Sequence, residues 1–244
     1  MKVCAVIPAA GRGSRLGTTK PKILAPLNQD QTVWSVLHPK IAPLVDHIHL
    51  VLSPEGGRDF PALPEHVSYS IQREPTGMGD AIFGARAGWE SFDAILIVWG
   101  DQVFVSTNTL RRAVAALTLP QRQLVLPLTR MTIPYVEYIF DGARLTKILQ
   151  SREGDATSQG GLSDVGTFLL HTRGLAAAWK DYLSKVERGS QTGEVNFLPF
   201  LPFLSMREWT VTPLEVTDPT EARGINTPED LSFFQRLCRY KDAP

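Results

Sequence analysis

Short apolar runs rich in valine, isoleucine and leucine alternate with helical stretches through the first half of the chain, and the first run opens directly into a glycine-rich loop. Strand alternating with helix predicts a doubly wound α/β fold. The strands expected at 2–8, 48–53, 67–72 and 94–99 are continuously apolar rather than alternating, as in parallel strands buried on both faces. Helices are expected between them at 32–44 and 79–90, and after the last at 107–117, behind a Ser/Thr/Asn-rich start. The pattern then changes. Segments 124–128, 135–140 and 145–150 look like antiparallel or mixed strands, with Asp141-Gly142 as the turn between the last two. The polar, glycine-rich stretch 151–162 is expected to be a mobile loop, followed by a strand at 165–171, a helix at 174–186 and a strand at 208–216. Thr227-Pro228-Glu229-Asp230 announces a final helix: an N-cap, a proline at the first helical position and acidic residues in the first turn.

Composition narrows the function classes. The chain has 244 residues, 43% hydrophobic and 20% charged, enough for a sizeable core. Lys plus Arg and Asp plus Glu both number 25, so no bulk basic field suggests a nucleic-acid partner and any phosphate site must be built locally. Only Cys4 and Cys238 are present, which argues for a reducing compartment, cytoplasm by default, and against a disulfide framework. The apolar run 3–10 is too short to span a bilayer, so no membrane partner is expected. None of the five histidines has a metal-ligand spacing, and no Gly-x-Ser-x-Gly elbow occurs.

The first loop, Ala9-Ala10-Gly11-Arg12-Gly13-Ser14-Arg15 followed by Pro21-Lys22, carries the strongest chemical signal. Glycines let backbone N–H groups turn toward an anion, and Arg15 and Lys22 add two mobile positive charges, as a triphosphate needs. Leu16 breaks the dinucleotide fingerprint, and no Gly-Lys-Ser/Thr closes a Walker A loop. Gly100-Asp101 ends the 94–99 run, which sets a carboxylate at the carboxyl edge of a buried strand: a Mg²⁺ ligand, or a cap for the next helix. Asn226, ahead of the last helix, offers an amide oxygen suited to a hard cation, with helix capping by Asn226 or Thr227 as the alternative.

Together these segments resemble the sugar-1-phosphate nucleotidylyltransferases over nearly the whole chain, most closely the uridylyltransferase part of N-acetylglucosamine-1-phosphate enzymes and glucose-1-phosphate thymidylyltransferases. The resemblance implies a Rossmann-like mixed sheet of the nucleotide-diphospho-sugar transferase type in one domain, 1–244, with a nucleotide half at about 1–120 and a sugar-phosphate half at 121–244. It also implies Mg²⁺ shared by Asp101 and Asn226, and a pyrimidine base bracketed by Gln72 and Gly77. Ala9, Ala10, Gly11, Gly13, Arg15, Lys22 and Gly100 would complete the nucleotide site, with Arg15, Lys22 and Asp101 catalytic. For the sugar phosphate it points to Glu137, Gln150, Arg152, Asp164 and Glu194. Three of these depart from the uridylyltransferase pattern: Glu137 stands for a glycine, Gln150 for a glutamate and Asp164 for an asparagine. The implied reaction joins UTP or dTTP to a sugar-1-phosphate with release of pyrophosphate, with two small-molecule substrates as partners. The alternatives are a cytidylyltransferase for a polyol, choline or phosphonate, and a non-catalytic nucleotide-binding module. No hexapeptide repeat occurs, so no appended acetyltransferase is expected.

Overall fold

The computed structural model describes residues 1–11, 13, 16–17, 20–118, 120 and 122–241, with side chains to 237. Strands β1 (Val3–Ala9), β2 (His47–Leu52), β3 (Val67–Ile71) and β4 (Ala94–Val98) form the parallel part of the sheet, joined through α1 (Val33–Ile41), α2 (Pro54–Asp59) and α3 (Met78–Gly84). After α4 (Thr107–Ala116), β5 (Gln123–Arg130) crosses to the far side of the sheet. There it pairs antiparallel with β9 (Thr167–His171) and parallel with β10 (Thr210–Glu215). The order is β10-β5-β9-β4-β1-β2-β3, with β8 (Leu162–Asp164) attached to β5 and a separate hairpin of β6 (Val136–Asp141) and β7 (Arg144–Gln150). Helices α5 (Leu175–Leu183), α6 (Phe200–Ser205) and α7 (Pro228–Lys241) complete the chain.

Continuous burial of β4, with all five residues covered, reflects helices on both faces. One apolar layer packs α1, α4 and α7 against the sheet through Leu37, Leu110 and Phe234; the other, under α3, α5 and α6, is aromatic, with Trp89, Trp179, Phe168 and Phe200. From β1 the chain runs outward through β2 to β3, then returns to place β4 on the other side of β1. That reversal makes the carboxyl ends of β1 and β4 the topological switch point, where open α/β sheets leave a crevice.

The expected mixed doubly wound sheet is therefore present, but β3 is not buried on both faces as expected: it is the edge strand, with Val67 buried and Tyr69 and Ile71 exposed, and the other differences fall in the short elements. The 151–162 stretch is not loop throughout, because it begins with a 3₁₀ turn at Ser151–Glu153 and ends in β8. The single strand expected at 165–171 begins only at Thr167, since Gly166 (φ +68°) turns the chain between β8 and β9. The helix expected at 79–90 breaks at Gly84 and resumes as a 3₁₀ turn, Arg86–Gly88.

Candidate active site

The carboxyl ends of β1 and β4 bring three distant residues together. Lys22, on a 3₁₀ turn after the first loop, places Nζ 2.5 Å from Asp101 Oδ2 and 2.7 Å from Asn226 Oδ1. Asp101 and Lys22 side chains are each 17% exposed, so the ion pair is largely shielded from water and from salt. The approach depends on small residues. A Cβ on Gly100 would lie 2.9 Å from Pro8 O, and one on Gly224 2.9 Å from Asp101 Cγ. The Gly100 amide donates to Pro8 O and the Ile225 amide to Asp101 O, which stitches all three segments into one corner.

Capping does not consume these groups. Ser106 Oγ accepts from the Thr109 amide and caps α4, while Thr227 and Asp230 cap α7 reciprocally: Asp230 Oδ2 accepts from the amides of Asn226 and Thr227, and Thr227 Oγ1 accepts from Asp230 N. Arg223 Nε donates to the other carboxylate oxygen of Asp230. Burial works against the Asp230 charge, and these donors together hold its carboxyl below the usual range. Asn226 is thus fixed through its backbone, and its side chain is left to face Lys22.

Two hard oxygen donors converging on one positive nitrogen are the chemistry a divalent cation requires, so Asp101 and Asn226 fit the metal that the fold family implies. Among the described residues no cluster of three or more His, Cys, Asp or Glu gathers anywhere, so these two would be the protein's share of the ligands.

On the base side, Gln72 Nε2 lies 3.2 Å from Gly77 O and 3.3 Å from Thr76 Oγ1, so the two residues expected to bracket the base are adjacent. Gly77 has φ +121°, and a Cβ there would stand 2.6 Å from Val195 O. Backbone bonds Val195 N to Thr76 O and Gly79 N to Val195 O fasten this loop to the 189–196 segment. A cavity of about 440 Å³ opens beside Gln72 and Thr76 but reaches back to Phe83 and Trp179, and none of Lys22, Asp101 and Asn226 lines it. It is a cleft behind the Gln72–Gly77 loop, apart from the corner where Lys22, Asp101 and Asn226 meet. Ala9 and Ala10 are buried at the end of β1; Gly13, with φ +64°, packs its backbone against Lys22. Gly11 follows the strand, and Arg15 lies outside the described residues.

The five sugar-phosphate candidates separate into groups. Arg152 Nη2 pairs with Glu194 Oε1 at 2.6 Å. Asp164 accepts from Tyr138 Oη at 3.1 Å and from the Gly166 amide at 2.7 Å; burial raises its carboxyl pKa against these bonds, and the charge of Asp101 adds to the rise. Glu137 is buried and accepts from Ser158 N at 2.6 Å and from Ser158 Oγ. Neighbours on a strand point to opposite faces, so Glu137 turns away from Tyr138 and Asp164. Gln150 ends β7, its amide bonded to Asp155.

Residues 5–169 match the MobA-like NTP transferase domain. The chain belongs to the MobA-like NTP transferase family. It is therefore a nucleotidyltransferase by class. This MobA-like chain also aligns over 237 residues, at 28% identity, with the bifunctional protein GlmU of two Acidithiobacillus ferrooxidans strains. The alignment covers 95% of this chain and 51% of GlmU, so the chain spans about half the length of those relatives. In fold it is similar to a Bacillus anthracis protein described as a glucose-1-phosphate thymidylyltransferase, in complex with sucrose (TM-score 0.74, 16% identity, 99% of this chain and 96% of that one). A nucleotidyl transferase from Methanothermobacter thermautotroptrophicus superposes with TM-score 0.65 at 22% identity over 98% of this chain and 99% of that one.

The sequence did not point to Glu153 or Val195, and it marked Asp230 as an acidic residue of the last helix's first turn without linking it to Asn226. Only Asp230 carried a readable signal, the Thr-x-x-Asp spacing at a helix start.

Proposed function

We propose that this MobA-like chain is a sugar-1-phosphate nucleotidylyltransferase that joins UTP or dTTP to a sugar-1-phosphate and releases pyrophosphate, with Mg²⁺ as its metal and the cytoplasm as its setting. The observation that carries the proposal is the meeting of Lys22, Asp101 and Asn226 at the switch point. The nucleotide would occupy the half at about 1–120, and the sugar phosphate the half at 121–244.

The attacking group is a phosphate oxygen, already nucleophilic at neutral pH, so no general base is needed. The protein's work is to align that oxygen with the α-phosphorus and to offset negative charge as pyrophosphate leaves. Asp101 and Asn226 would hold the cation, which supplies Lewis-acid neutralisation of phosphate oxygens when bound. Lys22 would then exchange these two side chains for the reacting phosphate. Arg15 and the loop amides would hold the β and γ phosphates. Gln72 and the Gly77 backbone would read the base, and Arg152 and Glu194 would meet the sugar phosphate and sugar hydroxyls.

The test is pyrophosphate release across a grid of UTP, dTTP, CTP and GTP against sugar-1-phosphates, choline phosphate and polyol phosphates, with and without chelator. Turnover confined to UTP or dTTP with a sugar-1-phosphate, abolished by chelator and restored by Mg²⁺, supports the proposal. CTP with a non-sugar phosphate would replace it.

A further inference from the structure

The segment 189–196 contains no helix or strand, yet it touches both sides of the site, and one carboxylate organises it. Glu153 stands at the end of the 3₁₀ turn that follows β7, next to Arg152. Glu153 Oε1 accepts from Thr192 Oγ1 at 2.6 Å and from Asn196 Nδ2 at 2.9 Å, and Oε2 accepts from the Gln191 amide at 3.0 Å. Burial opposes the charge, and these donors, with the Thr192 amide, overcome it and hold the carboxyl down to about 2. The loop closes tightly on this group. A Cβ on Gly189 would lie 2.6 Å from Glu153 Oε1, 2.6 Å from Thr192 Oγ1 and 2.7 Å from Asn196 Nδ2. Gly189 N also donates to Glu194 O at 2.9 Å, so Glu194 and Val195 have one defined placement. Glu194 reaches Arg152 on the sugar-phosphate side, and Val195 is bonded through its backbone to Thr76 and Gly79 on the base side.

We infer that Glu153 is a positioning residue that couples the two substrate subsites: it anchors the 189–196 loop, through which the turn bearing Arg152 and the base-reading loop are held in one register. The inference rests on the function proposed above, and a carboxylate is required because three or more donors converge on it. Removing it releases both loops together, so nucleotide and sugar phosphate each lose a preformed subsite although Glu153 touches neither. Coupling between sites is typically 5–150-fold in affinity.

The experiment compares Glu153→Gln and Glu153→Ala with the unaltered chain in three readouts: KM and kcat for each substrate, calorimetric binding of UTP or dTTP with Mg²⁺ and no acceptor, and trypsin cleavage near Lys185 and Arg188 in the substrate-free protein. The expected result for Glu153→Ala is a rise in both KM values of about tenfold or more with a smaller change in kcat, weaker nucleotide binding, and faster cleavage. Glu153→Gln keeps the shape and one acceptor oxygen and should fall between. Unchanged nucleotide binding in both variants, with only the sugar-phosphate KM raised, overturns the coupling. Native cleavage rates in both overturn the anchoring. If the unaltered chain makes no nucleotide sugar from any pair tested, the functional proposal fails, and the cleavage arm still decides whether Glu153 anchors the loop.

Discussion

Lys22 is the only cation placed against both Asp101 and Asn226 among the described contacts, and the two oxygens it bridges are the same two that would hold the metal. This arrangement sets distinguishable expectations for substitutions at the two charged residues. Lys22→Ala removes charge proposed to meet the reacting phosphate mainly in the transition state, so turnover should fall on the order of 10²-fold with KM for the nucleotide changed less. Asp101→Ala removes the oxygen proposed to hold the metal, so its loss should resist added Mg²⁺ at ordinary concentrations. Pyrophosphate-release kinetics over a Mg²⁺ titration check both, and near-native turnover in either variant would sink the assignment. Gly100→Ala should behave differently, because its methyl would press on the backbone of β1, 2.9 Å from Pro8 O, rather than on a flexible side chain. Overpacking of this kind costs about 1–3 kcal/mol, so thermal stability and activity should fall together. Lys22, Asp101 and Asn226 could be singled out by type and position, a lysine after a glycine loop, an aspartate closing an apolar strand and an asparagine before a capped helix, but residue type left a capping role open for the last two and only the family resemblance paired them. Glu153 could not be singled out, because its donors lie 38 to 43 residues further along and only folding brings them to it.

Elements explain why some predictions from sequence were reliable and others were not. β1 and β4 were legible because burial on both faces imposes an unbroken apolar run, whereas β3, at the sheet edge, alternates Val67-Ser68-Tyr69-Ser70-Ile71 and was legible from its β-branched and aromatic residues instead. Helix α2 was not, because Gly56 and Gly57 in six residues erase helical propensity, and its start depends on Ser53 Oγ accepting from the Gly56 amide. Helix α6 reads Phe-Leu-Pro-Phe-Leu-Ser and has five buried residues, so it lacks the polar face that reveals a surface helix. A prediction belongs to β2 and β3. His49 on β2 is buried and shares the Ser68 hydroxyl with His47, and its other ring nitrogen meets Ser70. Burial first, then the neighbouring His47, push its pKa down to about 4. The folded state therefore keeps His49 neutral where the unfolded chain takes up a proton, so stability should be full above about pH 6.5 and decline as pH falls toward 4, where the loss levels off. Urea denaturation at pH 7.5, 6.0 and 4.5 should show this decline, and His49→Gln should flatten it. A slope unchanged by that substitution would place the acid sensitivity elsewhere. At the start of α7, Asp230→Ala should cost about 1 kcal/mol of cap stability and, by freeing the Asn226 backbone, lower kcat more than that small loss suggests.

At the scale of the molecule, the two halves proposed to read base and sugar are held under different degrees of constraint, and the final prediction follows from that difference. Gln72 and Gly77 keep the spacing of the uracil and thymine enzymes, and they sit in a loop whose shape is fixed by Gly77 at φ +121° and by two backbone bonds to Val195. A base offering the wrong edge would leave a glutamine amide unpaired in a shaped site, at roughly 1–3 kcal/mol. UTP or dTTP should therefore exceed CTP and GTP by about tenfold or more in kcat/KM. The sugar half differs. Glu137 fills the place of a glycine and is committed to Ser158 and the glycine-rich 158–161 turn, while Asp164 has lost the donor NH₂ of an asparagine and is bound by Tyr138 and Gly166 instead. If Asp164 meets the sugar as the resemblance implies, its lack of a side-chain donor suits a sugar hydroxyl that donates better than an acetamido carbonyl that accepts, so N-acetylglucosamine-1-phosphate should be a poor acceptor beside glucose-1-phosphate. Turnover with each acceptor at saturating UTP or dTTP measures this. Asp164→Asn should shift the ratio toward the N-acetyl sugar by several-fold, since it restores a side-chain donor. Efficient use of N-acetylglucosamine-1-phosphate by the unaltered chain would mean that the acceptor is held by backbone and by Arg152 and Glu194, and that the three altered positions do not govern the choice of sugar.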